Sequence, residues 1–165
     1  MFVYSTVPAA AESVTTGSAM YTCSSAANST TDCMRMVAST ARNAYIQAVY
    51  VLGRGAGLTA FSGINLKIIR LGTPSTVGTA ATPRPRDPQA QASTITASSG
   101  PTIGSTPTVQ VSFGCGAAGP GGWVAPNPDS VISLLAVGSG SGNADLIAFS
   151  GTASLNFDAD IEHFE

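Results

Sequence analysis

The sequence predicts an all-β fold, an antiparallel β-sandwich of jelly-roll type preceded by an extended N-terminal arm. Three observations predict it. Several segments alternate apolar and polar residues with a period of two, no segment sustains an apolar period of 3.6 residues, and Gly- or Pro-rich turns separate the alternating runs. The chain has 165 residues, enough for one domain with an arm and enough to bury a core without disulfides or a metal. We place the arm at residues 1–40 and the sandwich at 41–165.

Phe2, Tyr4 and Thr6 alternate with Val3, Ser5 and Val7, which suits a short edge strand ended at Pro8. Residues 12–31 are rich in Ser, Thr and Ala and poor in large apolar groups, so they read as loop or extended arm, with a possible strand near 20–23. Such a segment cannot bury enough surface to fold alone, and it needs a neighbouring subunit or its own body to lie on. Residues 32–43 could start a helix with Asp32 as its cap, or form a strand. From there the pattern is β: Tyr45–Leu52 is β-branched and aromatic. Residues 63–71 put Ile64, Leu66 and Ile68 on one face and Asn65, Lys67 and Ile69 on the other. Residues 108–113 point Val109, Val111 and Phe113 inward, and 131–136 and 146–149 are shorter strands. The last strand has Ala153, Leu155, Phe157, Ala159 and Ile161 on one face and Ser154, Asn156, Asp158, Asp160 and Glu162 on the other. A slip of one residue would bury three carboxylates, which fixes its facing. The three prolines of the run Pro83-Arg84-Pro85-Arg86-Asp87-Pro88 remove backbone donors and fix φ, so it reads as extended loop.

Charged residues make up only 10% of the chain and the net charge is −2. Seven scattered cations, with Lys67 the only lysine, leave no basic stripe for a phosphate backbone, so no nucleic-acid partner is expected. No apolar run approaches the roughly 18 residues of a membrane span, and residues 1–12 lack the pattern of an ordinary signal peptide. So low a charge suits a protein that lives inside an assembly. Many apolar and small residues then serve an interface that desolvates few charges, and a homo-oligomer is expected.

The inventory for chemistry is sparse. Cys23, Cys33 and Cys115 are odd in number and read as reduced, buried small residues, although Cys23 and Cys33 could pair in an oxidising compartment. Gly55-Ala56-Gly57-Leu58-Thr59-Ala60 matches a dinucleotide fingerprint, but an alternating strand follows where a helix is required. His163 is the sole imidazole, and no nucleophile elbow accompanies it, so no serine or cysteine hydrolase is expected. Asp158, Asp160 and Glu162 lie about 7 Å apart along one strand face. They could ligate Ca²⁺ or work as an acid/base pair, but a solvated face, or ion pairs with arginines such as Arg84 and Arg86, is the simpler reading. Trp123 reads as a packing anchor, with sugar stacking as the other option, and Asn28-Ser29-Thr30 matches a glycosylation sequon without a secretion signal to give it meaning. The expectation is a non-enzyme with no catalytic residues, no metal and no cofactor.

The stretch Gly78-Thr79-Ala80-Ala81-Thr82-Pro83-Arg84-Pro85-Arg86-Asp87-Pro88, with Gln89-Ala90-Gln91-Ala92 after it, resembles small structural proteins of tailed bacteriophages. The likeness continues in Gly121-Gly122-Trp123-Val124-Ala125 and in Ser150-Gly151-Thr152-Ala153-Ser154-Leu155-Asn156-Phe157, and it spans roughly residues 44–165. The resemblance implies a jelly-roll virion protein that decorates or cements a capsid, often as a trimer, with the major capsid protein as its partner and the virion as its location. A tail or fibre component, or a carbohydrate-binding β-sandwich using Trp123 and the loop around Asn127, is the alternative. The resemblance brings no catalytic residues with it.

Overall fold

The computed structural model describes residues 20–28, 33–54, 63–72, 76, 78–102, 108–116, 120–136, 144–150 and 156–165. They form β1 (Tyr21–Asn28), β2 (Met34–Val37), β3 (Ala44–Arg54), β4 (Gly63–Arg70), β5 (Thr79–Ala81) and β6 (Arg84–Pro85). After these come β7 (Thr96–Ser99), β8 (Thr108–Gly116), β9 (Gly121–Val124), β10 (Ile132–Leu134), β11 (Ala144–Ser150) and β12 (Asn156–Phe164). The only helical element among the described residues is a single 3-10 turn, Pro128–Ser130. No described helix is long and apolar enough to cross a membrane.

The strands make two six-stranded antiparallel sheets. Sheet A runs β10-β3-β12-β1-β6, and β9 pairs with β3 on the same edge as β10. Sheet B runs β5-β7-β2-β11-β4-β8. The pairings are nested about the middle of the chain: β1 with β12, β2 with β11, β3 with β9 and β10, and β4 with β8. Strands β1 to β4 alternate between the sheets, while β5, β6 and β7 extend both sheets beyond β1 and β2.

One core joins the inner faces. Val49 and Val51 of β3 and Phe157, Ala159 and Ile161 of β12 supply it from sheet A, and Met34, Met36, Leu66 and Ile68 supply it from sheet B. The period-two reading of β4 and β12 is the arrangement observed at the described residues Leu66, Ile68, Phe157, Ala159 and Ile161, and β3 alternates in the same way from Val49 to Leu52. The same alternation turns Tyr50 and Leu52 out to solvent, at 44% and 56% exposure.

Two β-bulges interrupt the pairing, and the first alters the facing expected of Val109. Ile68 pairs with Val111 but Ile69 pairs with Val109, so Gln110 is an extra residue in β8. A bulge bends its strand and re-aims the side chains beyond it. Val109, expected inward, is 47% exposed, while Val111 and Phe113 do pack against the core. Ile69, expected on the polar face, is buried with Leu71 in a small separate cluster. The second bulge makes Gln47 the extra residue of β3, since Glu162 pairs with Ala48 and His163 with Ile46. The Gln47 carbonyl accepts a hydrogen bond from the Ala125 N–H at 2.8 Å, which carries the chain from β9 towards β10 along the β3 edge.

The boundary at residue 40 is corrected. β1 pairs with β12 over eight residues and lies between β12 and β6, so it is an interior strand of sheet A. All four residues of β2 are buried, and the strand alternative for residues 32–43 is the one observed. Tyr-Thr-Cys-Ser-Ser-Ala-Ala-Asn has no large apolar period; backbone pairing with β12 along its whole length, and with β6 at Tyr21 and Thr22, fixes it instead. The expected edge strand at 2–6 and residues 55–60, 138–142 and 153–155 lie outside the described residues, as does all of the arm up to residue 19.

Gly122 lies opposite Tyr50 in sheet A. A Cβ there would stand 2.5 Å from the Val49 carbonyl oxygen, a backbone atom fixed in the sheet. Gly122→Ala is expected to lower stability by about 1–3 kcal/mol, the usual range for forcing a methyl into packed structure, read as a lower urea midpoint.

Candidate functional site

The outward row of β12 meets sequence expectation and then departs from it. Asp158 and Asp160 stand on the outer face of sheet A, half-buried. Glu162 shares that face but is buried, because Arg86 folds over it from the end of β6 and forms an ion pair with it. Arg86 is brought there by β6, which adds to the edge of β1 by pairing Thr22 with Arg84, and by the Arg86 N–H, which donates to the Met20 carbonyl at 2.8 Å. Prolines on both sides of Arg84 are tolerated because β6 is an edge strand. The ion pair with the proline segment is the simpler of the readings set out for these carboxylates. Among the described residues no group of three or more His, Cys, Asp or Glu side chains is arranged to hold a metal ion.

Breaking this pair leaves a carboxylate that is mostly out of water. Arg86→Ala is expected to lower stability by about 1–3 kcal/mol, below the full cost of a buried pair because the arginine side chain is 54% exposed. Arg86→Ala combined with Glu162→Gln should recover most of that loss in the same urea titration.

The register sets what surrounds the carboxylates. Asp160 lies between Tyr50 of β3 and Ser24 of β1, and Tyr50 has Gly122 of β9 on its other side. Leu52 pairs with Asp158. A hollow of about 310 Å³ on this face is lined by Tyr50, Leu52, Pro120, Asp158, Asp160 and Ser24. Burial raises the Asp160 carboxyl above its ordinary value, against the opposing pull of the Arg86 charge and the Ile161 N–H. One Asp160 oxygen, Oδ1, is buried without a hydrogen-bond partner.

A second polar group was missed in the sequence reading. His163 continues the inward row of Phe157, Ala159 and Ile161 and is fully buried. Its Nε2 lies 3.4 Å from Ser93 Oγ and 3.9 Å from Glu165 Oε1. The Ser93 hydroxyl also donates to Glu165 Oε1. The Thr94 N–H donates to both carboxylate oxygens at 2.9 Å, the Thr94 hydroxyl to Oε2 at 2.5 Å, and the Ile95 N–H to Oε1 at 3.3 Å. Burial pushes Glu165 up, but the donors of Ser93, Thr94 and Ile95 outweigh it and hold the carboxyl below its usual value. Burial lowers His163 to about 4, so the ring is neutral near pH 7.

Serine, histidine and glutamate in contact suggest a triad, but the geometry is not one. A triad base uses one ring nitrogen for the nucleophile and the other for the carboxylate. Here Ser93 and Glu165 both lie at Nε2, the serine proton is committed to the carboxylate, and the ring has no exposed surface. The arrangement ties residues 93–95 to the end of β12.

The remaining flagged residues are accounted for locally. Trp123 is half-buried and packs against the core, opposite Val49. The Asn127 side chain accepts from the Asp129 N–H at 3.0 Å and the Ser130 hydroxyl at 2.8 Å, capping the 3-10 turn. Beside it a hollow of about 370 Å³ is lined by Gln47, Pro126, Asn127, Val131 and Phe164. Phe164 stacks on Tyr45 with ring centres 5.1 Å apart. Cys33 is fully buried in the core, as expected of it. Comparison with protein-family models, with curated proteins and with solved structures gives no match for this chain.

Proposed function

We propose that this chain is a structural virion protein that decorates or cements the head of a phage particle and has no enzymatic activity of its own. The observation that carries the reading is the strand order. β1-β12-β3 with β9 and β10 in one sheet, against β2-β11-β4-β8 in the other, pairs first strand with last and second with next to last. That nesting supports reading the fold as a jelly roll, with β5, β6 and β7 as an insertion between its fourth and fifth strands. Jelly rolls recur in viral capsid and lectin domains. The outer face of sheet A suits a docked protein: Tyr50, Leu52 and Val124 are all exposed there, on adjacent strands. A protein that binds assembled shell and not free subunits stabilises the shell by mass action. The partners on this reading are other copies of the chain, as a trimer, and the major capsid protein.

Location tests it. Labelled protein on intact particles should distribute over the head; signal confined to the tail would move the chain to a tail or fibre role. Residues 1–19 act as the clamping arm on this reading. Their deletion should release the protein from particles, while the sheets still fold, because the first described strand begins at Tyr21. A truncated protein that binds particles as tightly as the full chain would remove the arm from the proposal.

The carbohydrate-binding reading has one observation in its favour, the hollow beside Asn127 floored by Phe164. A glycan-array hit abolished by Phe164→Ala would support it. Trp123 is the wrong residue to probe, since its ring belongs to the core packing.

A further inference from the structure

We infer that the free edge of β8 is completed by residues 2–7 of a neighbouring copy, which add to sheet B as a further strand. β8 is the last strand of sheet B and, among the described residues, pairs only with β4. Its nine residues, Thr-Val-Gln-Val-Ser-Phe-Gly-Cys-Gly, carry no charge and no proline. Exposed edges are ordinarily kept short or blunted with charges or proline, because a bare edge accepts further strands. The other edge strands follow that rule: β5 and β10 have three residues, β9 has four, and β6 has two, one of them proline. The bulge at Gln110 lies near the start of β8 and leaves residues 111–116 in regular register. β9 approaches β8 but pairs with β3.

The core is open along the same edge. Val111 and Phe113 pair with Ile68 and Leu66, which are fully buried, and they too pack against the core, yet both are only half-buried. A strand laid beside β8 brings its own inward side chains against these two. Residues 2–7 suit the place. They bear no charge, Phe2 and Tyr4 alternate with Val3, Ser5 and Val7, and Pro8 ends the run. Six residues match the six of β8 beyond the bulge, and Phe2 and Tyr4 on the inward face cover Val111 and Phe113. Residues 23–28 of β1, beyond its pairing with β6, are the other long free edge among the described residues. The positions there that share the inward face are Cys23, Ser25 and Ala27, which offer rings little apolar surface. A neighbour supplies the strand because the described chain begins on the opposite side. Met20 is held by Arg86 next to β6, where β1 lies against β5 and β7. β8 is four strand spacings beyond β7, about 19 Å across sheet B. Residues 8–19 extend to at most about 40 Å, enough to pass to a copy lying alongside. A contact between one side of a molecule and the opposite side of the next is head to tail, and such contacts close into rings. The trimer of the proposed reading is one such ring; the inference rests on that association of copies and not on the phage location.

The test is disulfide trapping in the purified full chain, away from any particle. Opposed residues of paired strands have Cα atoms about 4.5–5.5 Å apart, within reach of a disulfide. Ser112 is exposed on the outer face of β8. Ser112→Cys is therefore combined in turn with Val3→Cys, Ser5→Cys and Val7→Cys, the positions that share that face in the added strand. Under mild oxidation at least one of the three double variants should form covalent oligomers on a non-reducing gel, and the single variants should not. A disulfide that closes within one chain, leaving a covalent monomer, would overturn the inference in favour of the molecule's own arm. Covalent oligomers obtained with Ser24→Cys in place of Ser112→Cys would overturn it in favour of the free edge of β1. Absence of a link in all three double variants would also overturn it. Hydrogen exchange gives a second measurement without cysteines. Deleting residues 1–7 should speed exchange at alternate amides of β8, those pointing away from β4, by at least about tenfold and leave β12 unchanged. Unchanged exchange in β8 would overturn the inference. None of these outcomes bears on whether the protein sits on a phage head, which the imaging experiment decides alone.

Discussion

Phe157→Ala should lower the stability of this protein by about 3–5 kcal/mol, the upper range for truncating a buried aromatic. Phe157 is fully buried at the centre of the sandwich. Its cross-strand neighbours are Gly53 on β3 and Ala27 on β1. Gly53 brings no side chain, so the ring fills space that β3 leaves open. After truncation Gly53 has no side chain to fall into the gap, and a cavity that cannot collapse gives the larger penalty. The measurement is urea unfolding of both proteins, followed by a probe of sheet content. Phe157→Leu, which keeps most of the volume, should recover more than half of the loss. A Phe157→Ala midpoint close to that of the native chain would mean that the two sheets do not meet at this ring.

Much of the fold follows from period-two alternation, and the departures have identifiable causes. β3, β4 and β12 carry branched or aromatic residues at alternate positions and are found where the pattern puts them. β1 is the opposite case. Its small polar side chains hold no period, and it belongs in the sheet because β12 pairs with its backbone over all eight residues and β6 with its first two. A reading based on side chains therefore assigned it to an arm. The bulges opposite Ile69 and His163 are backbone events with no mark in composition, and the first of them reversed the facing expected of Val109. At the candidate site, the acidic row and its arginine partner were legible because the charges are few and the proline segment presents two of them. The contacts of Ser93 and Thr94 with Glu165 join residues about seventy positions apart, a pairing set by topology alone. His163 could have been found: extending the inward row of β12 by two residues from Ile161 reaches it.

Acidification should destabilise the protein steeply between about pH 6.5 and pH 4, and His163 is the cause. Its ring is fully buried, and burial lowers its pKa from 6.5 to about 4. In the unfolded chain the imidazole takes up a proton below about pH 6.5, while in the folded protein it stays neutral until about pH 4. Across that window the unfolded state binds more protons, so stability falls as pH falls. A difference of this size corresponds to about 3 kcal/mol once the window has been crossed. Glu165, held below its ordinary value by the donors of residues 93–95, acts in the same direction at lower pH, where its carboxylate must be protonated. Asp160 acts in the opposite direction, since burial raises its carboxyl and acid relieves that cost. The histidine contribution is isolated by comparing the native chain with His163→Leu, a variant that keeps an apolar group in the inward row. Urea midpoints measured from pH 7.5 to pH 4 should drop further for the native protein, by the equivalent of about 3 kcal/mol, and the variant's profile should be nearly flat down to about pH 5. Parallel profiles for the two proteins would show that the ring is already charged or exposed in the folded state. The imidazole proton signals give the same quantity directly, as a titration midpoint near pH 4 in the native chain.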